Sequence, residues 1–118
     1  MEVRAITRGV RMSAQKMREV VRQIQGLNAL QAQAVLAVVP RKSARFVAKT
    51  LKSALANAED LKRNKSEYAG LVVGSLLVKE AVAQTATTIR RFTPKARGSA
   101  GPILKRSCHI RIVLSDNR

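Results

Sequence analysis

The chain has 118 residues, enough for one domain with a modest core. Its 23 Lys and Arg against 7 Asp and Glu give a net charge of +16, which is silent about fold but draws the protein towards polyanions. A hydrophobic content of 46% excludes a disordered basic tail, no segment reaches the ~20 apolar residues that span a bilayer, and the single Cys108 excludes an intramolecular disulfide.

The apolar residues are mostly Ala, Val and Leu, with Phe46, Tyr68 and Phe92 as the only aromatics, so the core is expected to be thin. The lone thiol suits a reducing compartment, and the first residues carry no apolar run of signal-peptide type. A soluble, cytoplasmic protein is expected.

Glu2 to Arg8 alternates between apolar and polar residues and predicts a short strand. Ser13 is placed to cap a helix that runs to Gly26, a residue suited to the left-handed position after a helix. Met17, Val20, Val21 and Ile24 recur there at helical spacing. Asn28 is a plausible cap for a second, short helix carrying Leu30, Ala34, Val35 and Val38. Pro40 stops that helix and suits the first turn of the next.

The third helix is the clearest element. Ala44, Val47, Ala48, Leu51, Ala54, Leu55, Ala58 and Leu61 form one apolar stripe. Lys42, Arg45, Lys49 and Lys52 fall at spacings of three, four and three, and so stack on another face. Like charges at these spacings weaken a helix by about 0.2–0.5 kcal/mol per pair. A solvated face ordinarily mixes both signs, but no acid occurs between Val20 and Ala58. That face is read as phosphate-facing. Glu59 to Gly70 reads as a polar loop, Leu71 to Gln84 as a strand, and Ile103 to Leu114 as its partner. On the partner, Ile110, Ile112 and Leu114 point one way and His109, Arg111 and Val113 the other.

The segment from Ala81 to Ser115 has no Asp or Glu, yet holds Arg90, Arg91, Lys95, Arg97, Lys105, Arg106 and Arg111. Gln84 to Thr88 are small and polar, with little to bury, although Thr still favours strand. Ten residues of strand from Gln84 to Thr93 would carry a tip roughly 30 Å outward. Gly98 and Gly101 relax the turn, and Pro94 and Pro102 are expected to block pairing at its borders. The expected fold is α+β: three helices packed on a small antiparallel sheet, with a long protruding β-hairpin over 84–106, in a single domain spanning 1–118.

Cys108 and His109 are neighbours and face opposite sides of a strand, so they form no nucleophile–base pair or metal site. No Gly-rich phosphate cradle occurs either. No enzyme activity, cofactor, metal or small-molecule substrate is expected. A free nucleic-acid regulator is the stronger rival, since charge alone admits it. Three scattered aromatics are too few for a reader of single-stranded RNA, and no zinc-ligand spacing or basic zipper is present.

Four segments together resemble the bacterial family of large-subunit ribosomal protein number twenty-two. They are Val10-Arg11-Met12-Ser13 with Lys16, Arg18 and Val20 to Gly26; Lys52 to Glu59; Arg90 to Gly98; and Lys105 to Ile110 with Val113 to Asp116. The chain departs from the family's usual pattern at Ala14-Gln15, where Pro-Arg is common, and in the uncharged Ser99-Ala100-Gly101-Pro102. The resemblance implies a body seated on large-subunit (23S) ribosomal RNA near the exit of the peptide tunnel, a role in subunit assembly, and a hairpin that lines the tunnel. The implied partners are that RNA, neighbouring ribosomal proteins and the nascent polypeptide, with no membrane. The implied RNA-binding residues are Arg11, Lys16, Arg18 and Arg22 around the first helix and Lys42, Arg45, Lys49 and Lys52 along the third. In the hairpin and its return they are Arg90, Arg91, Lys95, Arg97, Lys105, Arg106, His109 and Arg111. The implied tunnel-lining residues are Arg90, Arg91, Phe92, Lys95, Arg97 and Gly98.

Overall fold

In strand β1 (Glu2–Val10), buried Val3 and Ala5 alternate with exposed Glu2 and Arg4, and the strand outruns the expected Arg8 by two residues. The computed structural model describes residues 2–70 and 72–116. Helix α1 (Ala14–Ile24) begins at Ser13, whose Oγ accepts from the Lys16 N–H at 3.3 Å, and it buries Met17, Val20, Val21 and Ile24. It ends as its sequence dictates, with Gln25 as cap and Gly26 at φ +81°.

Helix α2 (Ala29–Val38) is capped by Asn28, whose Oδ1 accepts from Leu30 N–H at 3.0 Å. The sequence reading assigned this helix no buried face, and of the residues it named Val35 packs partly buried against the core. Ala29, Ala32 and Leu36 face the core, while Leu30 and Val38 are 58% and 81% exposed. The helix is apolar or uncharged all round, so no stripe marks an inner side, and small Ala29 and Ala32 allow the closer approach. Pro40 lies just before α3 (Lys42–Asn64), not in its first turn.

Helix α3 is 23 residues long and buries Ala44, Val47, Leu51, Ala54 and Ala58 as expected, with Ala48, Leu55 and Leu61 partly buried beside them. It continues past the expected loop at Glu59. Glu59, Asp60, Lys62 and Arg63 form a solvated last stretch in which Glu59 stands four residues before Arg63, a supportive spacing. Buried Thr50 also breaks the apolar pattern. Its hydroxyl bonds Phe46 C=O at 3.0 Å and Thr7 Oγ1 at 2.7 Å, tying α3 to β1.

Strand β2 (Leu77–Thr85) begins six residues later than expected, after a short 3-10 turn at Val73–Ser75. Leu71, the expected start, lies outside the described residues. The return segment is two strands, β4 (Ala100–Lys105) and β5 (Cys108–Ser115), instead of one. Strand β5 is the centre of an antiparallel sheet of order β1-β5-β2, with α1 packed over β2 and α3 over β1. Ile110, Ile112 and Leu114 are fully buried under the helices. Val113 points to the open face as expected, yet is only 5% exposed, because Arg4 and Glu80 flank it in register on the two neighbouring strands.

Strand β3 (Ile89–Pro94) pairs only with β4, in register from Ile89↔Lys105 to Pro94↔Ala100. This ribbon contributes nothing to the described hydrophobic core. The molecule measures 67 × 27 × 19 Å, with a radius of gyration of 17.7 Å against about 13–14 Å for a compact chain of this length. The extended arm accounts for the excess.

Candidate nucleic-acid interface

The arm is not a direct extension of the inner sheet. Thr85 pairs with Cys108 and Ile89 with Lys105, so three residues on one arm oppose two on the other. Ala86 N–H donates to Ser107 C=O at 3.1 Å, and Ser107 Oγ donates to Thr87 C=O at 2.7 Å, bridging the break. One unpaired residue reverses the alternation of side chains, as at a bulge.

At the tip, Lys95 N–H donates to Ser99 C=O at 2.6 Å across a single 3-10 turn at Ala96–Gly98. Arg97 and Gly98 both have positive φ, 60° and 73°, and successive left-handed residues need a glycine at one position at least. Pro94 ends the ladder as its last paired residue, opposite Ala100, as expected, whereas Pro102 does not block pairing: it sits inside the ladder opposite Phe92, which a two-stranded ribbon permits because each strand has a free outer edge. A Cβ on Gly101 would stand 2.5 Å from Lys95 Cε, so the Lys95 stem lies across that glycine. Arg90, Arg91, Phe92, Lys95, Arg97 and Lys105 are all exposed, Phe92 at 77%.

Where the arm meets the body, a groove of about 780 Å³ is lined by Arg11, Lys16, Arg18, Lys42 and Arg106, with no carboxylate among its walls. Arg11 Nη1 donates to Arg106 C=O at 2.8 Å, and Arg18 Nε to Ala83 C=O at 3.1 Å. Lys42, Arg45, Lys49 and Lys52 are all exposed along α3, and Lys42 and Arg45 also line a second groove of about 740 Å³. Arg22 is exposed on α1.

His109 and Arg111 stand apart from these clusters. His109 Nδ1 accepts from Gly9 N–H at 3.0 Å, where a bulge between Thr7 and Val10 turns that donor outward. Arg111 is half-buried on the open sheet face beside Glu2, Arg4 and Val113, with its Nε buried and without a hydrogen bond among the described residues. Cys108 is fully buried, and burial pushes its thiol above the usual range, against a smaller opposing effect of Arg18. A thiol held protonated is a poor nucleophile.

Sequence reasoning passed over Arg4 and Arg8, which β1 exposes opposite its buried residues, and Arg41, which pairs with Glu19 ahead of α3. Their alternation with Val3 and Ala5 was the available signal for the first two. It passed over a charge-free span as well: no ionisable residue occurs between Arg22 and Arg41, so α2 presents an uncharged surface.

A two-layer α+β body with an acid-free basic arm and cationic grooves defines a class: small basic body-and-arm proteins equipped to hold a polyanion. Comparison with known proteins narrows the class. The profile of the family described as Ribosomal protein L22p/L17e matches residues 5–115, and the chain belongs to that family. It is 50% identical to the large ribosomal subunit protein uL22 of Opitutus terrae over 116 residues, covering 98% of this chain and 96% of that protein. The protein of the same name from Akkermansia muciniphila is 47% identical, with 98% and 97% covered. That of Methylacidiphilum infernorum is 45% identical, with 98% and 96% covered.

Proposed function

We propose that this ribosomal protein is a structural constituent of the bacterial large subunit in the cytoplasm, binding 23S rRNA, supporting subunit assembly, and lining the nascent-peptide tunnel with its arm. One observation carries the reading: a two-stranded ribbon with exposed cations, no acid and no share in the core. An isolated ribbon is marginal in water, so its natural surroundings must hold it. Phosphates surrounding Arg90, Arg91, Lys95, Arg97 and Lys105 would neutralise it and order it together. Among these residues, Arg90, Arg91, Phe92, Lys95, Arg97 and Gly98 are assigned to the tunnel wall.

The body supplies the anchor. Arg11, Lys16, Arg18, Arg22 and the cationic row of α3 bind RNA backbone, with Arg106, His109 and Arg111 as further contacts. Contacts of this kind fix position without reading sequence. The uncharged α2 surface is suited to a neighbouring ribosomal protein, because it offers phosphates nothing.

Ribosomes assembled with a photo-crosslinking residue at Ser99 test the proposal. Crosslinks from the tip to 23S rRNA and to an arrested nascent chain are expected. Full incorporation of the protein with no crosslink to either would overturn the assignment of the tip.

A further inference from the structure

The groove at the root of the arm joins two parts that otherwise share little. Arg11, Lys16, Arg18 and Lys42 belong to the body, whereas Arg106 lies between β4 and β5, in the break of the ladder. Among the described residues the break is spanned by two hydrogen bonds, both through Ser107, and Arg11 bonds the Arg106 carbonyl from body to arm root. Five cations facing one aqueous space repel one another across it. At physiological salt the screening length is about 8 Å, so charges on the two walls still interact.

An anion in the groove reverses that sign. It attracts Arg106 and the body's cations at once, and the attraction is largest when the root of the arm lies against the body. A ligand shifts a conformational equilibrium only by its difference in affinity for the two states. Here the difference is physical: the closed root offers five converging cations, and a swung-out root offers four.

We propose that this groove is a phosphodiester clamp, in which a stretch of RNA backbone seated among Arg11, Lys16, Arg18, Lys42 and Arg106 fixes the direction of the arm relative to the body. The clamp rests on the reading of the protein as an rRNA-binding one, and adds to it a site and a consequence. RNA at the root sets where the tip points, before the tip itself meets anything.

The test uses the full chain with spin labels at Ser99→Cys on the tip and Asp60→Cys on α3, Cys108 being buried. Distance distributions are measured with and without a mixed-sequence single-stranded RNA dodecamer at saturating concentration. The distribution is expected to narrow at least twofold on RNA binding in the parent and in Lys62→Gln/Lys65→Gln, two exposed positions at the far end of α3 outside the RNA-binding row. It should stay broad in Lys16→Gln/Arg106→Gln, which removes the same charge and leaves the Arg11 contact to the Arg106 carbonyl in place. Equal narrowing in both double variants overturns the clamp. So does a parent that binds RNA without narrowing, and in that case the rRNA-binding reading survives. A parent that binds no RNA at low salt overturns both.

Discussion

The body and the arm of this protein are stabilised by different physics. The body holds all the fully buried side chains, among them Met17, Ile24, Leu51, Ile110 and Leu114, and all seven acids lie outside 81–115. Among the described residues, Glu19 pairs with Arg41 and Glu2 with Lys79, and the Lys79 ammonium holds the Glu2 carboxyl below its usual range. The arm has neither resource. Its strands bond only to each other, and its cations have no carboxylates to meet. The body is therefore self-sufficient, and the arm is completed by what surrounds it.

The most severe way to break the body is in its core. Leu51 is fully buried where α3 crosses the sheet, and Leu51→Ala should cost about 2–5 kcal/mol, seen as a lower midpoint in denaturant unfolding. A neutral result would mean that the core lies elsewhere. The converse experiment removes the arm: Ala86 joined to Ser107 through Asn-Gly closes β2 and β5 by a two-residue hairpin beyond the Thr85↔Cys108 pair. Unfolding should remain cooperative with its midpoint within a few degrees of the parent. A molten product would show that the arm supports the body.

The next comparison concerns the two basic surfaces. Lys42, Arg45, Lys49 and Lys52 replaced together by Gln should leave the fold intact, since all four are exposed. Affinity for ribosomal RNA should fall, and the slope of log K against log salt should shrink by up to about one unit for each phosphate no longer neutralised. An unchanged slope in filter-binding titrations would remove α3 from the interface.

Legibility from sequence followed the same division. In the body, periodicity located β1, α1 and α3, and cap residues set the ends of α1 and the start of α2, because Ser13, Asn28 and Gly26 act locally. Periodicity failed for α2, whose uncharged sides look alike, and at Glu59, where charge was read as loop although it belongs to a solvated helical end. In the arm, charge and length disclosed the ribbon, but not the break at Ala86–Thr88. A three-against-two irregularity lives in pairing between distant segments, and no residue type announces it. The groove was illegible for a similar reason: Arg11, Lys42 and Arg106 are scattered in sequence and meet only through the fold.

A smaller perturbation tests the separation at the thiol. Burial raises the Cys108 pKa in the folded state, so its contribution to stability is present below the unfolded thiol pKa of about 8.5 and is lost as pH rises above that value. Native protein should resist alkylation at pH 8, and Cys108→Ala should lose less stability than the parent between neutral pH and pH 10. Rapid alkylation of folded protein would mean that the sheet opens at β5.

The subtlest comparison places one strain in both regions. Gly26 and Gly98 have nearly the same left-handed φ, 81° and 73°, and a Cβ at either would meet nothing within 4 Å. Alanine at each therefore carries the same conformational cost, about 1–2 kcal/mol, with no steric contribution to confuse it. At Gly26 the backbone is tied to the core, because its N–H donates to Val78 C=O at 2.9 Å. Gly26→Ala should lower global stability by that full amount. At Gly98 the strain falls on a turn outside the cooperative unit, which can open locally without unfolding the body. Gly98→Ala should leave the thermal midpoint unchanged while hydrogen exchange at Ser99, whose N–H bonds Ala96 C=O at 3.3 Å, becomes faster. Equal losses of stability at both positions would show that the arm and the body unfold as one.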